Sequence, residues 1–201
     1  PYVVIQYLEL TTDFGVLDEV VPFLDGPTLA AGQEDLYFEP RVSAQTGTLF
    51  EHCARALDRS LGVGSHGLPL IGTGDWNDGM NRVGAAGKGE SVWLAWFLHT
   101  VLWEFARLAD TRGEYQRAEK WRLHVSALKA SLEREAWDGA WYRRAYFDDG
   151  TPLGSAMNAE CRIDSIAQSW GVISGAADPA RSARAMAAVE RELIRPEDGL
   201  A

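Results

Sequence analysis

The sequence predicts an all-α protein on three observations. Apolar residues recur at helical spacing through most of the chain, the periodic segments are bounded by glycine or by an Asp-Pro start, and no strand-helix-strand alternation appears. The third observation argues against a Rossmann or TIM architecture.

Taken in order, Tyr2 to Thr11 is expected to be the end of a helix, followed by a short apolar piece from Val16 to Leu24 that Asp25-Gly26-Pro27 closes. Thr28 to Ser43 is irregular and is expected to be a loop. "TLFEHCARALDRSL" then sets Leu49, Phe50, Cys53, Ala54 and Leu57 at helical spacing and stops at Gly62. After a glycine-rich connection, "SVWLAWFLHTVLWEFARLADTRG" is apolar almost all round, as a helix buried on most of its circumference would be. Gly113 ends it. "EYQRAEKWRLHVSALKASLEREAW" follows, with Tyr115, Ala118, Trp121, Val125, Leu128 and Leu132 forming one stripe. Tyr142 to Phe147, flanked by Asp-Gly pairs, breaks the helical rhythm and is compatible with a small hairpin. "RIDSIAQSWGVISG" resumes helix with Ile163, Ile166, Ala167 and Trp170 on one face, and "DPARSARAMAAVERELI" begins with Asp178 as N-cap and Pro179 at the first helical position.

With 201 residues and 46% apolar content, the chain can bury a sizeable core as one domain or as part of a larger one. It lacks an initiator Met and opens on an already apolar stretch, so a piece of a larger polypeptide is expected. A net charge of −10 with dispersed basic residues opposes a nucleic-acid or anionic-membrane surface. No apolar run approaches the roughly 18 to 20 residues of a membrane span. The two cysteines, Cys53 and Cys161, form no CxxC pattern, which fits a reducing, cytoplasmic setting. Eight tryptophans serve either as core or as stacking platforms for sugar rings.

Several motifs fail on context. "GVGSHG" spells GxGxxG but follows a helix instead of a strand. "GAAGKGES" has Gly89 where a phosphate loop needs Ser or Thr, and "DWNDGMN" lacks the acidic spacing of a calcium loop. The four histidines show no paired metal spacing, so no metal or other cofactor is predicted.

"GTGDWNDGMN", residues 72–81, concentrates two carboxylates, two carboxamides, an indole and three glycines in one connection. If this turn is helical, Asp75 and Asp78 point to one side, about 5 to 6 Å apart. One reading has Asp75 capping a helix or tying the amides of its own loop. The other is glycoside chemistry, with a carboxylic acid to protonate the leaving oxygen, Trp76 as sugar platform and Asn77 bonding hydroxyls. An inverting hydrolase needs a second carboxylate to activate water, whereas in an inverting phosphorylase phosphate itself attacks. Spacing alone does not choose between them. A proton donor near neutral pH also needs partial burial or a nearby negative charge, which incoming phosphate or Asp75 would supply.

The blocks "HGLPLIGTGDWNDGMNRVG" and "GKGESVWLAWFL", with "TLFEHCARALDRS" before and "ECRIDSIAQSWGVISG" after, strongly resemble glycoside hydrolase family 94, the inverting glycoside phosphorylases. Within it the likeness is greatest to the phosphorylase-like C-terminal region of cyclic β-1,2-glucan synthases, with cellobiose and chitobiose phosphorylases more distant. The resemblance covers essentially the whole chain. It implies a partial (α/α)6 barrel catalytic domain, Asp78 as general acid, Trp76 lining the sugar subsites, and Asp75 in a supporting role. Arg162, Asp164 and Gln168 enter as candidates for facing the sugar, and Asn77 remains a hydroxyl partner. The partners implied are a β-glucan oligosaccharide, inorganic phosphate as co-substrate, and the rest of a longer polypeptide, with the phosphate-binding residues largely outside this chain. The setting implied is the cytoplasmic domain of an inner-membrane synthase, where the activity would set glucan length. An inverting hydrolase on the same fold and a non-catalytic glucan-binding segment are the alternatives.

Overall fold

The computed structural model describes residues 1–30 and 33–199. Positions 31 and 32 of the expected loop, and 200 and 201, lie outside the described residues. The chain divides into two compact units, residues 1–61 and 62–201.

In the first unit, α1 (Tyr2–Thr11) and a 3₁₀ turn (Phe14–Asp18) are followed by an antiparallel ribbon of β1 (Val20–Asp25) and β2 (Arg41–Thr48), then α2 (Leu49–Arg59). The ribbon corrects the all-α expectation. Val20 pairs with Thr48 and Asp25 with Arg41, with a register shift between Pro22 and Leu24. Both strands are mostly exposed, so neither carries the apolar-polar alternation that marks a half-buried strand. Pro22 fits in β1 because a two-stranded ribbon has free edges. Thr48 caps α2 by accepting from the Glu51 amide at 3.1 Å, and Phe50, Cys53, Ala54 and Leu57 are buried at the predicted spacing.

The second unit is built on a helical hairpin. In α3 (Val92–Thr111), Val92, Ala95, Trp96, Leu102 and Phe105 are buried along with most of the helix circumference. Gly113, at φ 78°, reverses the chain into α4 (Tyr115–Ser131). Ala118, Trp121, Val125, Leu128 and Leu132 form the buried stripe, and Trp121 meets Phe105 edge-on with centroids 6.4 Å apart. Burying each such large side chain contributes about 1.5–3 kcal/mol. Tyr115 departs from the stripe: it opens the helix and is exposed. A π turn (Leu132–Ala136) ends the hairpin.

Three two-residue strands, β3 (Glu90–Ser91), β4 (Ala145–Tyr146) and β5 (Pro152–Leu153), form an antiparallel sheet in the order β3-β4-β5. Only the first strand of the hairpin β4-β5 falls within the expected Tyr142–Phe147; the chain turns through Asp149-Gly150 and returns at Pro152–Leu153, and β3 brings the glycine-rich connection alongside it. α5 (Ser165–Ile173) packs on α3 and on α6 (Pro179–Leu193). Asp178 caps α6 by accepting from the Ala180 and Arg181 amides at 3.0 Å. No helix among the described residues is long and apolar enough to cross a membrane.

Candidate active site

The connection between α2 and α3 is folded onto itself by backbone contacts that only glycine permits. A Cβ on Gly89 would lie 2.3 Å from the Val83 carbonyl oxygen, and one on Gly84 2.7 Å from that of Gly72. Ile71, Val83 and Ala145 form the apolar seam beneath, with Met80, Phe147 and Leu153 packed against it. The amides of Ala86, Lys88 and Gly89 all donate to the carboxylate of Asp148, at 2.7 to 2.9 Å. These bonds hold the Asp148 carboxyl below its usual proton affinity. The segment that mimics a phosphate loop is thus occupied by the protein's own anion.

Asp75 is the buried centre of the turn. Its side chain has no exposed surface, and Arg144, itself 3% exposed, grips it with both amino groups at 2.7 Å. Ser91 donates to the same carboxylate at 2.5 Å while its Oγ accepts from the Leu94 amide, so one hydroxyl both caps α3 and anchors the turn. The Asn77 amide adds a fourth bond at 3.2 Å. Burial pushes the Asp75 proton affinity up, but the Arg144 and Ser91 bonds and the Arg144 charge outweigh it and leave the pKa lowered. Asp75 is therefore a compensated anion and a poor source of uncompensated negative charge.

Asp78 differs in every respect. It begins a 3₁₀ turn (Asp78–Met80), its residue is exposed, and no described residue hydrogen-bonds its carboxylate. Asn77 sits between them in extended conformation, with its side-chain oxygen accepting from the Gly79 amide at 2.9 Å. That extended residue breaks the helical geometry on which the shared direction of Asp75 and Asp78 depended. One faces inward, the other outward.

Trp76 is 74% exposed, and its ring lies 6.5 Å from that of Trp93. Trp93 continues into Phe97 and Trp170, at 5.5 and 6.3 Å, so the exposed indole crowns an aromatic cluster drawn from α3 and α5. Asp164 caps α5 by accepting from the Ile166 amide at 2.9 Å, and its other oxygen lies 3.2 Å from Arg144 Nε. Arg144 thus joins Asp75 to Asp164. Arg162 is exposed; its carbonyl accepts from the Trp141 indole at 2.9 Å, and the preceding Cys161 holds a left-handed φ of 50°. The buried amide of Gln168 bonds the Tyr142 backbone twice: its oxygen accepts from the amide at 2.8 Å and its nitrogen donates to the carbonyl at 2.6 Å. Its nitrogen also reaches the Asp164 carbonyl at 3.0 Å, so its polar atoms are engaged within the protein.

Sequence reasoning missed Arg144, Ser91 and Glu90. The available signal for Arg144 was a pair of arginines inside an aromatic run, "WYRRAYF", where successive side chains face opposite ways. Arg143 turns to Asp138 and Tyr146, and Arg144 to Asp75.

Comparison with known proteins gives this geometry a family. The chain is 53% identical over 98% of its length to the cyclic beta-(1,2)-glucan synthase NdvB of Rhizobium meliloti, of which it spans 7%. It is 37% identical over 94% of its length to the solabiose phosphorylase of Paenibacillus borealis, of which it spans 23%. Among solved structures, it resembles a GH78 family rhamnosidase of Bacillus sp. GL1 with a TM-score of 0.54, over 72% of this chain and 15% of that one. At 16% identity this last likeness concerns the fold alone. The family model for the glycosyl hydrolase 94 superfamily, catalytic domain, matches residues 2–201, and the chain belongs to that family.

Proposed function

We propose that this chain forms part of an inverting, phosphate-dependent site that cleaves and rebuilds β-glucosidic bonds, with Asp78 as general acid. The observation that carries the reading is the opposite fate of two carboxylates in one turn. Asp75 is buried and neutralised by Arg144, while Asp78 stands exposed beside an exposed indole.

In this reading Trp76 offers a face to the glucosyl ring and Asn77 lies within reach of its hydroxyls. The Asp78 carboxylic acid gives its proton to the glycosidic oxygen as the bond from that oxygen to C1 breaks. A phosphate oxygen bonds C1 from the opposite face, so inversion yields α-glucose 1-phosphate and a glucan shortened by one unit. Over the cycle, the proton carried by phosphate restores Asp78. In reverse, Asp78 takes the proton of the acceptor hydroxyl and the glucan lengthens. Because Asp75 is compensated by Arg144, it brings no free negative charge to the turn.

Membership of the family and the likeness to a cyclic β-1,2-glucan synthase support β-1,2-glucan as substrate and control of its length as the role. The same likeness supports placing the chain within a longer polypeptide, since the chain spans only 7% of that synthase; a cytoplasmic setting, with neither nucleic acid nor direct membrane insertion, belongs to the proposal. The deciding experiment measures cleavage of β-1,2-glucan by the complete enzyme with and without inorganic phosphate. Release of α-glucose 1-phosphate only when phosphate is present supports the proposal. Equal cleavage without phosphate establishes a hydrolase instead, and glucan binding with no turnover under either condition establishes a binding segment.

A further inference from the structure

The turn that presents Asp78 is held by one buried cation. Arg144 precedes β4, lies 69 positions from Asp75 in sequence, and fills both oxygens of that carboxylate by two parallel bonds of 2.7 Å. Such a fork fixes orientation as well as distance, which a single point charge does not. Two further contacts extend the grip. Arg144 Nη1 donates to Ser91 Oγ at 3.3 Å, at the start of α3, and Nε lies 3.2 Å from Asp164 Oδ2, at the start of α5, as an ion pair without hydrogen-bond geometry. The carboxylate of Asp164 is 38% exposed, while its partner is almost fully enclosed. One guanidinium therefore ties the Trp76–Asp78 turn to the heads of two helices.

We propose that Arg144 is a positioning residue of this site. Acting through Asp75, it sets the direction in which Asp78 presents its proton, and through Asp164 it keeps that turn in register with α5. This rests on the reading of Asp78 as general acid. Arg144 touches no reacting atom; its effect is on aim. A displacement of about 1 Å in a catalytic group costs on the order of a hundredfold in rate, so loss of the fork is expected to be felt chiefly in proton donation.

The test uses two substrates that differ in their need for a proton. Cleavage of β-1,2-glucan leaves an alkoxide that must be protonated. With β-glucosyl fluoride, phosphate attacks C1 and fluoride departs as the anion, so the acid is dispensable. Each substrate is assayed with phosphate in the complete enzyme carrying Asp78→Asn, Arg144→Lys, or the paired change Asp75→Asn with Arg144→Met. The paired change removes both buried charges together, so neither is left uncompensated and the fold is expected to survive; thermal unfolding checks this.

Asp78→Asn is expected to lose glucan phosphorolysis while retaining fluoride turnover. The folded paired variant is expected to show the same selectivity in weaker form, losing about a hundredfold on glucan and less than about threefold on the fluoride. Arg144→Lys is expected to side with it, because an ammonium cannot reproduce the fork. If the paired variant loses both substrates by the same factor, or loses neither, while Asp78→Asn behaves as expected, the positioning role is overturned and the general acid stands. If Asp78→Asn retains glucan phosphorolysis, the acid assignment falls and the role of Arg144 falls with it.

Discussion

The carboxylate of Glu90, 1% exposed, holds His66 Nδ1 at 2.5 Å while the same imidazole lies flat on Tyr146, with ring centroids 3.8 Å apart. The carboxylate also accepts from the backbone amides of His66 and Leu68, so one buried group organises the entry to the glycine-rich connection. Glu90→Gln replaces one acceptor oxygen with a donor that faces N–H groups. It is expected to cost about 1–3 kcal/mol, measured by denaturant unfolding. Gly64→Ala is expected to act on the same contact, because its Cβ would lie 2.5 Å from the Glu90 carboxyl carbon. Unchanged stability in both variants would show that the bonds of Glu90 contribute nothing net.

His99 supplies a dependence on pH. Burial, reinforced by the charge of Lys129, lowers its pKa to about 4, whereas an unfolded histidine titrates near 6.5. Between these values the unfolded chain binds a proton that the folded protein refuses, so stability falls as pH falls through that window and levels off below it. The full effect is about 3 kcal/mol. In His99→Leu this contribution is absent. The stability difference between wild type and variant is expected to shift by that amount between pH 6.5 and 4, and a constant difference would contradict the assignment.

Gln168→Ala separates a packing role from a sugar-binding one. The amide closes two bonds to the Tyr142 backbone, and its removal leaves a buried N–H and C=O without partners, at about 2–5 kcal/mol. The melting temperature is expected to drop while KM for glucan stays unchanged. A raised KM at unchanged stability would instead return Gln168 to the sugar.

Trp76→Ala is expected to leave folding intact, because the indole is largely exposed. Loss of a stacking face worth about 0.5–1.5 kcal/mol corresponds to sugar binding weaker by about two- to twelvefold, measured by titration of glucan. Unfolding of this variant would make the indole part of the core.

What the sequence revealed follows from the range of the forces involved. Helices α2, α3, α4 and α6 were legible because period, caps and stops are local: Thr48 and Asp178 bond amides two or three residues on, and Gly113 reverses the chain at the position where it stands. The β1-β2 ribbon was not, since strands exposed on both faces leave no alternating pattern. Within the site, Trp76, Asn77 and Asp78 form a contiguous word. The difference between Asp75 and Asp78 depends on Arg144, brought in through β4, and that pairing has no local signature. The glycines illustrate the same limit. At Gly84 and Gly89 the missing side chain admits the protein's own backbone, an approach that the local sequence does not reveal.

The central claim is that Asp78 carries the proton. It is tested most directly by Asp78→Asn in the complete enzyme, following α-glucose 1-phosphate formed from β-1,2-glucan and phosphate. The expected result is a loss of about 10²- to 10⁴-fold in rate, the range of general acid catalysis, with an unchanged melting temperature. Wild-type formation of α-glucose 1-phosphate by that variant would contradict the account.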